Sequence, residues 1–126
     1  DAKEWLKMVT DNDTMTGIYR AIVCDGELIG SISVEKKDDD AEIGYMLLNE
    51  YTNKGIATEA VKQICTIAFK VLSLEQIMAN VFQPNIASMR VLLKNDFKYK
   101  GVIPNAVIKD GNVYDLLIYV LTVNSN

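Results

Sequence analysis

Chemistry is first suggested by the segment Tyr51-Thr52-Asn53-Lys54-Gly55-Ile56-Ala57-Thr58-Glu59-Ala60. A loop running into a helix here aims unsatisfied backbone N–H groups and the positive helix end outward. Such a terminus suits a pyrophosphate. Gly55 lets an anion approach with no side chain in the way, and Ala57 keeps the first helical turn slim. The segment is neither a G-x-x-x-x-G-K-[ST] loop nor a G-x-G-x-x-G turn. Taken alone, it also reads as a plain strand-to-helix loop containing a glycine.

Histidine is absent from the chain. That excludes serine–histidine and cysteine–histidine hydrolase mechanisms and most catalytic zinc sites. Proton transfer must fall to Glu, Asp, Tyr, Ser, Cys, Lys or ordered water. Cys24 and Cys65 cannot build a structural metal site without histidines. Cys65 lies on an apolar helical stripe, where a free buried thiol is the expected state. A disulfide between the two is not expected, and the setting is predicted to be reduced and cytoplasmic.

These groups need a scaffold. Asp1 can cap a helix running to about Val9, with Ala2, Trp5, Leu6 and Val9 at helical spacing. Gly17 to Cys24 is β-like, and Asp25-Gly26 gives a two-residue hairpin signal. Leu28 to Val34 forms the return strand, with Leu28, Ile32 and Val34 on one face. Lys36 to Asp40 is a solvated turn, and Ala41 to Leu48 reads as a central third strand. After the loop Asn49 to Lys54, a helix spans about Ile56 to Leu72. Its stripe of Ala57, Ala60, Val61, Ile64, Ile67, Ala68, Val71 and Leu72 is too regular for a strand. Gln76 to Gln83 is a strand broken by Pro84, and a helix runs from Asn85 or Ile86 to about Asn95. Phe97 to Ile108, the Asp110-Gly111 turn and Asn112 to Val123 complete a hairpin. The order predicts one α/β (α+β) domain over residues 1–126, a mixed, mainly antiparallel sheet flanked by helices.

The size of 126 residues fits a single hydrophobic core. Apolar residues make up 49% and charged residues 24%, ordinary values for a globular chain. No apolar run is long enough to span a bilayer, and no signal peptide is expected before the first polar segment. The net charge of −4 argues against general nucleic-acid binding, which needs a basic face.

The run Gly26-Glu27-Leu28-Ile29-Gly30-Ser31 is followed by Ala41-Glu42-Ile43-Gly44-Tyr45 and Lys54-Gly55-Ile56-Ala57-Thr58-Glu59-Ala60. Asn85-Ile86-Ala87-Ser88, Lys94-Asn95-Asp96-Phe97 and Tyr114-Asp115-Leu116-Leu117-Ile118-Tyr119 come after. In order and spacing these resemble the GNAT acetyltransferase superfamily, especially its ribosomal-protein N-terminal acetyltransferase branch. The resemblance covers essentially the whole chain. It implies acetyl-CoA as cosubstrate, with no metal, and places the pyrophosphate loop on Thr52, Asn53, Lys54, Gly55, Ile56 and Ala57, with Thr58 following. Thr52 departs from the family's Gln or Arg. A loop that binds through backbone N–H groups tolerates that change. Leu47 and Leu48 fall on the strand that lines the cofactor, Asn85 on the asparagine that bonds the pantetheine arm, and Ser88 near the thioester sulfur. Lys94 and Arg90 match positions that can meet the adenosine 3′-phosphate, although exposed helix charges are the default reading. Leu92 stands where other branches carry an acidic tyrosine. Asp96 replaces a helix-ending glycine, in a left-handed conformation that aspartate tolerates at some cost.

The implied reaction is direct acetyl transfer from coenzyme A to a primary amine, on a protein N-terminus or a small molecule. Glu42 is the candidate base, acting directly or through water, with an edge or surface carboxylate as the alternative reading, and Ser88 or water would protonate the leaving thiolate. Tyr45 and Tyr119 are further candidates, though strand aromatics more often serve the core. A backbone N–H on the Tyr45–Leu48 strand would meet the oxyanion. The competing readings are a non-catalytic acyl-CoA-binding or regulatory module and a plain interaction domain. The family's first strand and helix have no counterpart in the chain. Their absence predicts an unpaired edge on Gly17–Cys24 and a homo-oligomer formed by edge pairing or helix exchange.

Overall fold

The computed structural model describes residues 6–10, 12–52, 54–82 and 85–123. Two short turns set its hairpins. Asp25 and Gly26 take φ of 50° and 82°, and Asp110 and Gly111 take 52° and 78°. Positive φ at both central residues matches the right-handed twist of paired strands. The first turn joins β2 (Gly17–Cys24) to β3 (Glu27–Lys37), and the second joins β6 (Lys98–Lys109) to β7 (Asn112–Thr122). β4 (Asp40–Leu47) continues antiparallel from β3. It is followed by one 3-10 turn over Asn49–Tyr51, helix α1 (Ile56–Val71), β5 (Gln76–Phe82) and helix α2 (Ile86–Lys94).

β1 (Leu6–Thr10) completes a seven-stranded sheet in the order β1-β2-β3-β4-β5-β7-β6. Every neighbouring pair is antiparallel except β4 and β5. Those two run parallel, and their ladder covers only Asp40–Glu42 against Gln76–Met78. Beyond Glu42 the strands fork. The facing edge of β4 then carries N–H and C=O groups with no ladder partner from β5.

α1 closes the core with Ile56, Ala60, Val61, Ile64, Cys65 and Ala68, all buried. Each fully buried isoleucine contributes about 1.5–3 kcal/mol relative to exposure. The helical stripe therefore forms as expected, except that Val71 at its end is exposed. Asp96 takes φ of 68° after α2. The Phe97 N–H reaches the Leu92 carbonyl at 3.1 Å and the Asp96 N–H reaches Leu93 at 3.2 Å. This paired ending satisfies the last carbonyls and buries Phe97. Cys24 and Cys65 are free, buried thiols. Burial pushes the Cys65 thiol up to about 12.

Several expectations need correction. The helix proposed from Asp1 to about Val9 lies partly outside the described residues. Its described part, Leu6 to Val9, is strand, because pairing with β2 satisfies this backbone in place of helical bonds. The same pairing overturns the unpaired Gly17–Cys24 edge, since β1 covers Arg20 to Cys24. Asp13 takes over where β1 stops, accepting the Tyr19 N–H at 2.9 Å. The inward residue near the start of β3 is Ile29, fully buried, while Leu28 is 67% exposed. A bulge opposite Ile22 and Val23 shifts the alternation by one residue. The Pro84 break lies outside the described residues.

Candidate functional site

The fork between β4 and β5 opens into a cavity of about 610 Å³. Its walls are the end of β4, the start of α1 and the length of α2, contributing Tyr45, Leu47, Ala57, Thr58, Ser88 and Val91 among others.

At one end lies the start of α1. Gly55 is its N-cap with φ of 79°, and among the described residues no side chain caps the helix. The first helical bond runs from the Glu59 N–H to the Gly55 carbonyl, 3.1 Å. The N–H groups of Ile56, Ala57 and Thr58 precede it and have no acceptor within the helix. A Cβ on Gly55 would meet nothing within 4 Å, so the space beside it is open. Uncapped donors, the positive helix end and free space are what an anionic group needs. The lining adds the cations Arg90 and Lys94 and, among the described residues, no carboxylate.

α2 runs beside the cavity. The Asn95 amide ties its far end to α1, donating to the carbonyls of Thr58 at 3.1 Å and Val91 at 3.0 Å. At its near end Asn85 caps the helix, accepting the Ser88 N–H on Oδ1 at 3.2 Å. From Ser88 to Lys94 the helix advances about 9 Å. The cavity thus stretches from the α1 start to Ser88. There Tyr45 reaches across from β4 and donates its hydroxyl to Ser88 Oγ at 3.1 Å. Burial raises the Tyr45 phenol above its ordinary value, and the Ser88 bond opposes that shift. The phenol therefore stays protonated at neutral pH.

Most residues singled out from the sequence converge here: Leu47, Gly55, Ala57, Thr58, Asn85, Ser88, Arg90 and Lys94 all line the cavity. Others do not. Ile56 is fully buried in the core, so only its backbone can serve the loop. The Leu48 N–H donates to the Ile29 carbonyl at 2.9 Å, which removes it from the possible oxyanion donors. Lys54 sits 5.7 Å from the centre of the Tyr51 ring and is not part of the lining. Asn53 lies outside the described residues. Thr52 lines the cavity, and its hydroxyl donates to the Asn49 carbonyl at 2.8 Å, which ties the loop to itself.

Glu42 also stands apart from the lining. It is the last residue of β4 paired with β5. Its carboxylate accepts from Lys37 Nζ at 3.2 Å and from Asn80 Nδ2 at 3.0 Å. The carboxylate thus bridges the fork where the two strands separate. Tyr119 is a buried residue that stacks edge-on against Tyr99, a core role. Sequence reading missed Asn49 and Met46 in the lining, the Asn95 tie and the Tyr45–Ser88 contact. The last joins residues 43 positions apart, which no local spacing can signal.

The acetyltransferase (GNAT) domain family matches residues 1–98. The uncharacterized N-acetyltransferase YoaA of Bacillus subtilis is 38% identical over 96 residues, covering 74% of this chain and 54% of that protein. The Mycobacterium smegmatis RimJ structure in complex with CoA-disulfide is 28% identical with a TM-score of 0.77, covering 86% of this chain and 54% of that one. Ribosomal-protein-S5-alanine acetyltransferase from Vibrio fischeri shares the fold at a TM-score of 0.78 and 24% identity, covering 88% of this chain and 64% of that one. The chain spans about half the length of the curated relatives it matches.

Proposed function

Because the chain belongs to the GNAT acetyltransferase family, we propose that it binds acetyl-CoA in the forked cavity and transfers the acetyl group to a primary amine. The observation that carries this reading is one continuous cavity joining the uncapped α1 start to the Tyr45–Ser88 pair. The backbone N–H groups of Ile56, Ala57 and Thr58 would hold the pyrophosphate, with Lys94 and Arg90 adding positive charge. The exposed edge of β4 past Glu42 offers amide partners to the pantetheine arm, and Asn85 stands at the same end. An N–H of β4 between Tyr45 and Leu47 would meet the oxyanion.

An ammonium has no lone pair, so a base must first take its proton. Glu42 at the fork is the proposed base, acting through water because its oxygens already face Lys37 and Asn80. Ser88 hydrogen-bonds the leaving sulfur. The 31% identity to the putative ribosomal N-acetyltransferase YdaF of Bacillus subtilis favours a protein N-terminus as acceptor, and small-molecule amines are the alternative. We also propose that the chain forms a homo-oligomer, and that its setting is the reducing cytoplasm.

Release of free thiol from acetyl-CoA, followed with peptides bearing free N-termini and with small amines, tests the reading. Thiol release with at least one amine is expected. Saturable coenzyme A binding without release for any amine would instead leave a non-catalytic acyl-CoA-binding module.

A further inference from the structure

Across the cavity two hydroxyls share one bond, Tyr45 Oη donating to Ser88 Oγ at 3.1 Å. The phenol is the more acidic partner, which makes it the natural donor. Ser88 has a single proton of its own, and among the described residues no hydroxyl acceptor takes it. Both ends of this arrangement are fixed. The Tyr45 ring packs against the core, and the Asn85 cap holds the first turn of α2. A hydroxyl oxygen that accepts a bond keeps its own proton to donate, and both hydroxyls line the cavity, so the Ser88 proton is available to a group bound there.

Resting on the acetyl-CoA reading above, we propose that Tyr45 is a positioning residue that aims the Ser88 hydroxyl at the sulfur of the bound thioester. As the amine nitrogen bonds the acetyl carbon, the C–S bond breaks and its electron pair stays on sulfur. The Ser88 O–H donates a hydrogen bond to that thiolate. The proton given up by the amine nitrogen ends on sulfur, so neither hydroxyl is consumed. Tyr45 touches Ser88 and not the reacting atoms.

The test titrates the thiol of coenzyme A bound to the protein, read by the carbon-13 shift of the methylene next to sulfur. Wild type is compared with Tyr45→Phe, Ser88→Ala and the double variant. A hydrogen bond to the charged form lowers a pKa, so in wild type the bound thiol should titrate about one unit below the free thiol. Tyr45→Phe, which keeps the ring and loses only Oη, should return it to the free value. Ser88→Ala should do the same, and the double variant should add nothing further. Calorimetric affinity of Tyr45→Phe for coenzyme A should stay within about twofold of wild type. Identical thiol titrations in wild type and Tyr45→Phe would overturn the proposal while leaving the acetyl-CoA site standing. No coenzyme A binding by wild type would overturn both.

Discussion

Gly55 carries two demands at one position. Its φ of 79° is left-handed, and the space beside it opens on the cavity. Alanine there should cost about 1 kcal/mol through backbone strain alone. Asparagine tolerates the left-handed region better, so Gly55→Asn separates the effects. Its thermal midpoint should stay near wild type while coenzyme A affinity falls about tenfold or more by calorimetry. Glu42 tests the chemistry. Glu42→Gln should lower the acetylation rate by roughly 10²–10⁴ with cofactor affinity unchanged, measured as initial rates over a pH series. Equal rates would move the base to ordered water.

Asp13 answers to pH differently. Its carboxyl is lowered by the hydrogen bond from the Arg20 guanidinium, then by the Tyr19 N–H. A depressed carboxylate contributes stability that is present above its ordinary value near 3.8 and is lost as pH falls through the folded value. Asp13 is partly exposed, so the effect should be small. Thermal midpoints of Asp13→Asn should lie below wild type at neutral pH and converge with it in acid.

Among the elements, those written in local pattern were legible. The α1 stripe and the two Asp-Gly turns depend on residues close in sequence, and they form where the pattern puts them. What depends on distant partners was not. Leu6 and Val9 have helical spacing, yet pairing with β2 makes the segment strand. The bulge that buries Ile29 in place of Leu28 depends on how β2 and β3 align. The fork between β4 and β5, which makes the cavity, is invisible in either strand alone. At the site, the loop and Asn85 carried local signals, whereas Tyr45 acquires its contact only when α2 folds back across β4. A Cβ on Gly30 would run into the Met46 carbonyl oxygen of the neighbouring strand. Gly30→Ala should therefore destabilise by about 1–3 kcal/mol in denaturant unfolding. It should also weaken coenzyme A binding, since Met46 lines the cavity. Unchanged stability would mean that β3 and β4 shift apart freely.

For the whole molecule, the sheet leaves β6 as its outer strand beside β7. Val102, Ile103, Ile108 and Val113 on this hairpin are exposed, with Ile108 at 78%. An open apolar edge of this kind favours pairing with a second copy. The expected route to the oligomer is therefore this hairpin and not Gly17–Cys24. Sedimentation of wild type should show a dimer, and Ile108→Lys should shift it toward monomer with the thermal midpoint unchanged.

The central question is whether the forked cavity is an acetyl-CoA site. Backbone amide NMR during a titration with acetyl-CoA answers it residue by residue. Saturable one-to-one binding is expected, with the largest shifts at Ile56, Ala57 and Thr58 at one end of the cavity and at Ser88 at the other. Absence of binding would refute this assignment. So would shifts gathered in the separate cleft beside Lys62, Cys65 and Phe69, with the start of α1 unmoved.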